Sequence, residues 1–202
     1  MKYYIMQNKI VPWGDYGEVL FRGFLNVMDE NYNDIEVPEL ERVAPYVPEI
    51  YIANSIDIIL SDTVKNIIVQ ASIRGIVNFR KTKKRKIVNI NWTEWDMACE
   101  TPLIYPKSGA PENYILKGKH SEETAELIPD MWNLVVEHTH KLEKLSDKID
   151  STYYSDIAIQ GNPEKDIFIP FNMLFVVVSE IFKNLMELNN IDTIRFVELQ
   201  QI

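Results

Sequence analysis

The clearest pattern of hydrophobic and polar positions lies in residues 56–92 and predicts a strand, a helix and two further strands. Residues 56–60 form a short apolar run, and Ser61 then supplies a side-chain oxygen that can cap a helix. Apolar residues next recur at the spacing of one helix face, at Val64, Ile67, Ile68 and Ala71. Residues 73–79 return to a strand pattern, and residues 86–92 alternate apolar with polar side chains, as a half-buried strand does.

Shorter patterns predict the remaining elements. We expect strands at residues 2–6, 114–116 and 153–159, a turn at 14–17, an irregular region with three prolines at 29–48, the basic tip of a hairpin at 80–86 and a helix that Ser121 opens. A further helix is predicted at residues 130–148, although residues 135–138 also suit a strand.

The C-terminal part of the chain repeats the strand–helix–strand pattern at a constant offset of 118 residues. Matching positions carry Ser61 and Ser179, Lys65 and Lys183, and Asn66 and Asn184. Such units usually join parallel strands by a right-handed crossover. We therefore expect an α+β fold in one domain, residues 1–202, with a mixed sheet built from two strand–helix–strand repeats (about 56–92 and 166–202). Extra helices lie between the repeats, and residues 101–160 are expected to be an insertion. Chance similarity between two capped helices is the alternative.

Ser61 and Ser179 also occupy the place of a hydrolase nucleophile, at a strand-to-helix turn. Neither serine has the flanking glycines of a nucleophile elbow. Since an acid follows each of them and a helix begins there, we interpret both as N-caps. A cap contributes about 1 kcal/mol of stability, which is sufficient reason for a serine at each position.

Composition and charge narrow the class of protein. The chain has 202 residues, of which 46% are hydrophobic and 25% charged, as in an ordinary globular protein. Its apolar runs are too short for a signal peptide or a membrane span, and its one cysteine, Cys99, cannot form an internal disulfide. A cytoplasmic protein without membrane contact is therefore expected. The net charge of −9 repels phosphate backbones and argues against nucleic acid as a partner.

The most one-sided charge cluster lies in residues 29–41 and is the candidate for partner binding. Its carboxylates are Asp29, Glu30, Asp34, Glu36, Glu39 and Glu41. A cluster of this kind favours a basic partner, because complementary charge directs the encounter and its specificity.

Other clusters suggest different functions. Residues 92–96 combine aromatic rings with carboxylates, as a small hydrolase or a carbohydrate-binding enzyme does; they include Trp92, Glu94, Trp95 and Asp96. The cations of residues 80–86 would suit a nucleic-acid-binding regulator, but no aromatic side chains lie between them to stack on bases. We therefore prefer the interpretation that these residues are the solvent-exposed turn of a hairpin. His138 and His140 lie far from His120 and lack the spacing of a zinc site, so we expect no metal and no cofactor.

The C-terminal unit resembles a known family. A strand leads into Val177-Val178-Ser179-Glu180, an amphipathic helix follows, and apolar residues close the chain at Ile191, Ile194, Phe196 and Leu199. This pattern resembles the immunity proteins of bacterial polymorphic toxin systems, and among them the large family first described as an uncharacterised domain in myxobacteria. Matching stretches are residues 2–5, 60–62, 76–79, 87–92, 166–168, 175–180 and 182–199, with Thr193 where the family usually has glycine.

The resemblance implies a cytoplasmic protein that binds and neutralises one cognate toxin. The family carries no catalytic residues that would transfer to this sequence. We therefore expect a binding protein rather than an enzyme, with the toxin as its partner.

Overall fold

The computed structural model describes residues 1–11, 13–29, 31–90, 110–145 and 156–202. Over these residues the chain combines short helices with several small sheets, which is the α+β class expected from the sequence. The strands are β1 (Tyr3–Asn8), β2 (Phe24–Met28), β3 (Asp34–Ala44), β4 (Ile50–Ile52), β5 (Ile58–Ser61), β6 (Ile76–Lys81), β7 (Lys83–Asn89), β8 (Met131–Val136), β9 (Leu142–Lys144), β10 (Ile157–Ile159), β11 (Ile167–Phe168), β12 (Val176–Ser179), β13 (Ile194–Glu198) and β14 (Gln200–Gln201). The helices are α1 (Asp15–Arg22), α2 (Asp62–Gln70), α3 (Asn113–Leu116), α4 (Glu122–Leu127) and α5 (Glu180–Leu188).

Two four-stranded sheets form the centre of the fold. The C-terminal sheet has the order β11-β12-β1-β13, and the central sheet has the order β4-β5-β8-β6. In the C-terminal sheet, β1 is antiparallel to both β12 and β13; in the central sheet, β8 is antiparallel to both β5 and β6. Helices α5 and α2 therefore each connect two parallel strands that are separated by one antiparallel strand. The two units therefore lie in two separate sheets and not in the single mixed sheet expected from the sequence; β1 inserts between the strands of the C-terminal unit, and β8 inserts between those of the other.

One hydrophobic core joins both sheets and both helices. The C-terminal sheet contributes Tyr4, Met6, Ile167, Val176, Val178 and Ile194; the central sheet contributes Ile50, Ile52, Ile58, Leu60, Leu134 and Val136; the helices contribute Val64, Ile68, Phe182 and Met186. The apolar helix face predicted from Val64 and Ile68 is thus buried against the sheets. The two β–α–β units share this core instead of enclosing one each.

The predicted N-caps are confirmed. The Oγ atoms of Ser61 and Ser179 accept hydrogen bonds from the backbone N–H groups of Val64 and Phe182, each at 3.3 Å. Ser121 likewise accepts from the N–H of Thr124 at 3.2 Å and begins α4. These bonds satisfy backbone donors that a helix start leaves free.

The region predicted to be irregular contains β3, the longest of the described strands. It is the middle strand of a third sheet, antiparallel to β2 and parallel to β7. Pro38 is tolerated because it lies where the pairing with β2 shifts register and before the pairing with β7 begins at Glu39. No ladder hydrogen bond requires its missing N–H there.

The helix predicted at residues 130–148 is not found over residues 130–145, the described part of that range, where β8 and β9 lie instead. β8 pairs with β5 on one side and β6 on the other, and its burial suits that position. The helical spacing of Leu142 and Leu145 did not decide the conformation of the following segment, because Leu142 lies in β9, which pairs with β10.

The basic residues 80–86 do not form the turn of a β-hairpin. β6 pairs with β8 in the central sheet, whereas β7 pairs with β3 in the third sheet. Between them Thr82 is buried, and its N–H and hydroxyl both donate to the carbonyl oxygen of Met131. The chain crosses from one sheet to another at this residue.

Two shorter expectations also differ from the structure. Residues 14–17, predicted as a turn, begin α1, and residues 114–116, predicted as a strand, lie in α3. The strand expected at residues 153–159 is present as β10 in the part that the structure describes. None of the helices in the described ranges is long and apolar enough to cross a bilayer.

Candidate functional site

Two of the predicted partner-binding carboxylates are already engaged within the chain. The parallel register of β3 and β7 sets Glu39 opposite Lys83, so that the acids of one strand face the cations of the other. Arg85 contacts Glu39 at 3.1 Å and Glu41 at 3.3 Å, and Lys83 approaches Glu39 at 3.8 Å. The side chains of Glu39 and Glu41 are only 25% and 14% exposed. They contribute to this sheet and leave little carboxylate surface for another protein.

The cations of residues 80–86 have intramolecular partners as well. Besides the pairs with β3, Arg80 donates to the carbonyl oxygen of Ile35, Lys81 pairs with Asp130, Lys84 donates to the carbonyl oxygens of Ala125 and Ile128, and Lys86 donates to that of Leu116. Burial lowers the pKa of Lys84, whose ammonium group lies at the C-terminal end of α4. This basic segment holds neighbouring elements together, while the side chains of Lys81, Lys83 and Arg85 remain more than half exposed.

The other predicted carboxylates lie where β2 turns into β3. We call residues 28–37 the hairpin tip; Glu30, one of the candidates, lies outside the described residues. Asp29 organises the turn, because its Oδ1 accepts hydrogen bonds from the N–H groups of Asn31 at 2.8 Å and Asn33 at 2.9 Å. These bonds from Asn33 and Asn31 lower the pKa of Asp29. Backbone hydrogen bonds between Asp29 and Asn33, and from Tyr32 to Asp29, close the turn.

The hairpin tip presents apolar and acidic side chains together. Tyr32 is 86% exposed and has a φ of 62°, so the turn itself projects the ring into solvent. Met28 at the end of β2 and Val37 in β3 are each about half exposed. Asp34 and Glu36 are exposed and form no salt bridge with the part of the chain that the structure describes. An ordered turn that carries an exposed tyrosine, exposed apolar side chains and carboxylates without a salt-bridge partner in the described ranges is suited to binding a protein surface.

Sequence reasoning found the acids of the hairpin tip but missed its apolar side chains. The available signal was the run of turn-forming residues 29–34, five of whose members are Asp, Asn or Glu, between apolar residues of β2 and β3. That run predicts a hairpin, and the exposure of Tyr32 then follows from its place at the turn. The three prolines in residues 29–48 favour an irregular region and so mask this signal.

Of the remaining candidate residues, the histidines are described by the structure, whereas the aromatic and acidic residues 92–96 are not. Trp92, Glu94, Trp95, Asp96 and Cys99 lie outside the described residues. Nδ1 of His120 accepts a hydrogen bond from the N–H of Ile87. The backbone of His138 forms an isolated parallel β-bridge with Ile169. Across the described ranges, no group of three His, Cys, Asp or Glu side chains has the geometry to hold a metal ion.

Ser179 is part of a buried polar cluster rather than a nucleophile–base pair. Its hydroxyl donates to Oδ1 of Asp166 at 3.0 Å, and Asp166 is bound in turn by Arg74. This cluster connects the loop before β6 with the start of β11. Its role is to hold the two sheets together.

Comparison of the sequence with models of known protein families and with curated proteins finds no match.

Proposed function

We propose that this chain is an immunity protein that neutralises a cognate toxin by forming a stoichiometric complex, with the hairpin tip as the principal contact. The observation that carries the proposal is the ordered tip, which combines the exposed ring of Tyr32 with the carboxylates of Asp34 and Glu36, neither of which has a salt-bridge partner among the residues that the structure describes. The resemblance of residues 166–199 to immunity proteins supports the same function independently of the tip.

The physical properties of the tip fit protein recognition. Tyrosine buries a large area at low entropic cost, and tyrosines are enriched among the residues that dominate binding energy. The hydrogen bonds of Asp29 order the turn before binding, so that less conformational freedom is lost when the complex forms. The acids and the net charge of −9 favour association with a basic toxin surface.

We further propose that the two β–α–β units are copies of one ancestral unit. The starts of β5 and β12, of α2 and α5, and of β6 and β13 are each 118 positions apart. Lys65 lies 3.2 Å from the ring centroid of Trp132 on β8, and Lys183 lies 5.6 Å from that of Tyr4 on β1. The hairpin tip belongs to neither unit. Its sequence can therefore vary with the partner without altering the shared core.

The function is tested by combining the purified protein with the toxin encoded beside its gene. We expect a complex of fixed stoichiometry in gel filtration with light scattering, and loss of toxin activity at the equivalence point. Because surface charge is screened by salt, association should slow as ionic strength rises from about 0.05 to 0.5 M. Failure to form a complex at low salt, or full toxin activity within the complex, would contradict the proposal.

A further inference from the structure

β13 is an edge strand of the C-terminal sheet and pairs with β1 on one side only. The N–H of Leu199 donates to the carbonyl oxygen of Tyr3 at 2.9 Å, so the odd-numbered residues of this segment direct their backbone groups towards β1. The N–H and C=O groups of Ile194, Phe196 and Glu198 therefore point away from the sheet. In the part of the chain that the structure describes, these outward groups have no hydrogen-bond partner.

A groove of about 610 Å³ lies between β13 and α5, and we call it the β13 groove. Ile191, Ile194 and Phe196 supply its apolar side chains, and Lys183 and Glu187 line it from the helix. Phe196 is only half-buried, so part of this apolar surface is open to solvent. A strand added to the free edge would direct every second side chain to the face that Ile194 and Phe196 share, and so into the groove.

The corresponding edge of the central sheet is protected by its own side chains. β6 is the edge strand there, and the N–H of Phe79 donates to Oδ1 of Asn78 at 2.7 Å. Lys65 of α2 lies 3.2 Å from the ring centroid of Trp132 and 5.8 Å from that of Phe79, so its side chain covers the space between helix and strand. Of the two units, the C-terminal one therefore presents the more open edge.

The β13 groove carries one positive charge without a partner. Lys9 pairs with Asp192 at 2.9 Å, and Lys183 pairs with Glu187 at 2.8 Å. Arg195 is exposed at the groove and forms no salt bridge with any residue of the described ranges. Opposite charges that face each other on neighbouring strands stabilise the pair. An acidic side chain opposite Arg195 would therefore favour one added strand over another.

A second copy of β13 cannot supply this acid. Antiparallel pairing through the outward backbone groups sets even-numbered residues opposite even-numbered ones, so Arg195 faces only odd-numbered positions. These positions are Thr193, Arg195, Val197 and Leu199. None of them is acidic, and Glu198 falls on the opposite face in every such register. Charge complementarity therefore favours a different polypeptide as the occupant.

We propose that the edge of β13 binds an extended segment of a partner protein, added as an antiparallel strand with apolar side chains in the β13 groove and an acidic side chain opposite Arg195. All ladders of the C-terminal sheet are antiparallel, which favours the same direction for the added strand. Main-chain hydrogen bonds supply the affinity of such a complex, and alternate side chains supply its specificity. The site is independent of the hairpin tip and of toxin binding.

The test uses three fluorescent heptapeptides in which valines alternate with threonines and the central residue is glutamate, glutamine or lysine. By fluorescence anisotropy we expect saturable binding of the glutamate peptide, about fivefold weaker binding of the lysine peptide and an intermediate affinity for glutamine. N-methylation of the valines beside the centre should abolish binding, because their amides donate to β13, whereas N-methylation of the threonines should not, because their amides point away. Equal affinities for the three peptides, or equal effects of the two methylations, would overturn the proposal.

Variants of the edge locate the binding. Arg195→Glu changes an exposed side chain and should reverse the order, so that the lysine peptide binds most tightly. Glu198→Pro removes an outward N–H and should weaken all three peptides. Glu198→Thr loses the same salt bridge with Lys2 but keeps the N–H, and as the matched control it should bind as the wild type does.

Two outcomes with these proteins would contradict the proposal. An unchanged order of affinities in Arg195→Glu would place the peptides elsewhere on the surface. A wild-type dimer in sedimentation velocity that Glu198→Pro dissociates and Glu198→Thr retains would show that a second copy of the chain occupies the edge.

Discussion

Arg74 and Asp166 form a two-point ion pair that ties the loop before β6 to the start of β11. Nε of Arg74 lies 2.9 Å from Oδ2 of Asp166, and Nη2 lies 3.2 Å from Oδ1. The backbone N–H of Arg74 also donates to Oδ2 at 3.0 Å, so a single carboxylate holds both the side chain and the main chain of the facing loop. The adjacent Gly75 leaves space for this approach, because a Cβ atom there would overlap the carbonyl oxygen of Ile167. The pair thus fixes the junction between the two central sheets.

We expect Asp166→Asn to lower the free energy of unfolding by about 2–3 kcal/mol, since a buried carboxylate with charged hydrogen bonds is lost. The side chain of Asp166 is only 4% exposed, which limits replacement of these bonds by water. Asp192→Asn is the matched control: its side chain is 80% exposed and pairs with Lys9, so its loss should cost less than about 1 kcal/mol. Urea denaturation of the two variants checks the difference, and equal losses would contradict the assigned role of Asp166.

The stabilisation by Asp166 should depend on pH. Burial alone would raise the pKa of Asp166, but the hydrogen bonds from Arg74 and Ser179 outweigh burial and lower it. A carboxyl group with a lowered pKa in the folded state stabilises the protein above its unfolded pKa of about 3.9 and loses that contribution as the pH falls through the folded value. The difference in unfolding free energy between wild type and Asp166→Asn should therefore be constant above about pH 5 and shrink below pH 4. A difference that grows on acidification would show that Asp166 has a raised pKa.

The two N-cap serines should differ in their contribution to stability. Among the described residues, the hydroxyl of Ser61 makes only the hydrogen bond that caps its helix, so Ser61→Ala should cost about 1 kcal/mol. Ser179 caps α5 and also donates to Asp166, so Ser179→Ala should cost about 2 kcal/mol. Each variant is the other's control, because the two positions begin helices of the same length. Thermal and urea denaturation should rank Ser179→Ala as the less stable protein, and the reverse order would mean that the bond to Asp166 contributes nothing.

Those parts of the fold that depend on local pattern were predictable from the sequence. The helix that Ser61 begins is specified within about ten residues by its cap and by Val64 and Ile68. Most of β8 was missed, although residues 135–138 were also interpreted as a possible strand, because its conformation is decided by β5 and β6, which pair with both of its edges. For the same reason charge alone could not separate Glu39 from Glu36: the register of β3 against β7 neutralises the first and leaves the second exposed. Buried cations such as Arg42 depend on tertiary contacts and have no local signature.

Charge at the hairpin tip should control the rate of association with the toxin. Glu36 is exposed on β3 and unpaired among the described residues, so Glu36→Lys should lower the association rate at low salt several-fold. The effect should fade at high salt, since surface charges are screened. Glu126→Lys makes the same charge change at an exposed position of α4 and controls for the altered net charge. Stopped-flow kinetics with the toxin would separate the two, and identical rates would remove Glu36 from the encounter surface.

Removal of the Tyr32 ring should weaken the complex mainly by speeding its dissociation. An aromatic side chain at the centre of an interface typically contributes 2 kcal/mol or more, so Tyr32→Ala should reduce toxin affinity about thirtyfold or more. The stability of the free protein should change little, because the ring is 86% exposed. Phe171→Ala is the matched control, since Phe171 is also a largely exposed aromatic residue but lies between β11 and β12. Surface plasmon resonance should give a faster dissociation rate for Tyr32→Ala alone; equal affinities for both variants would place the toxin contact outside the hairpin tip while leaving toxin binding itself intact.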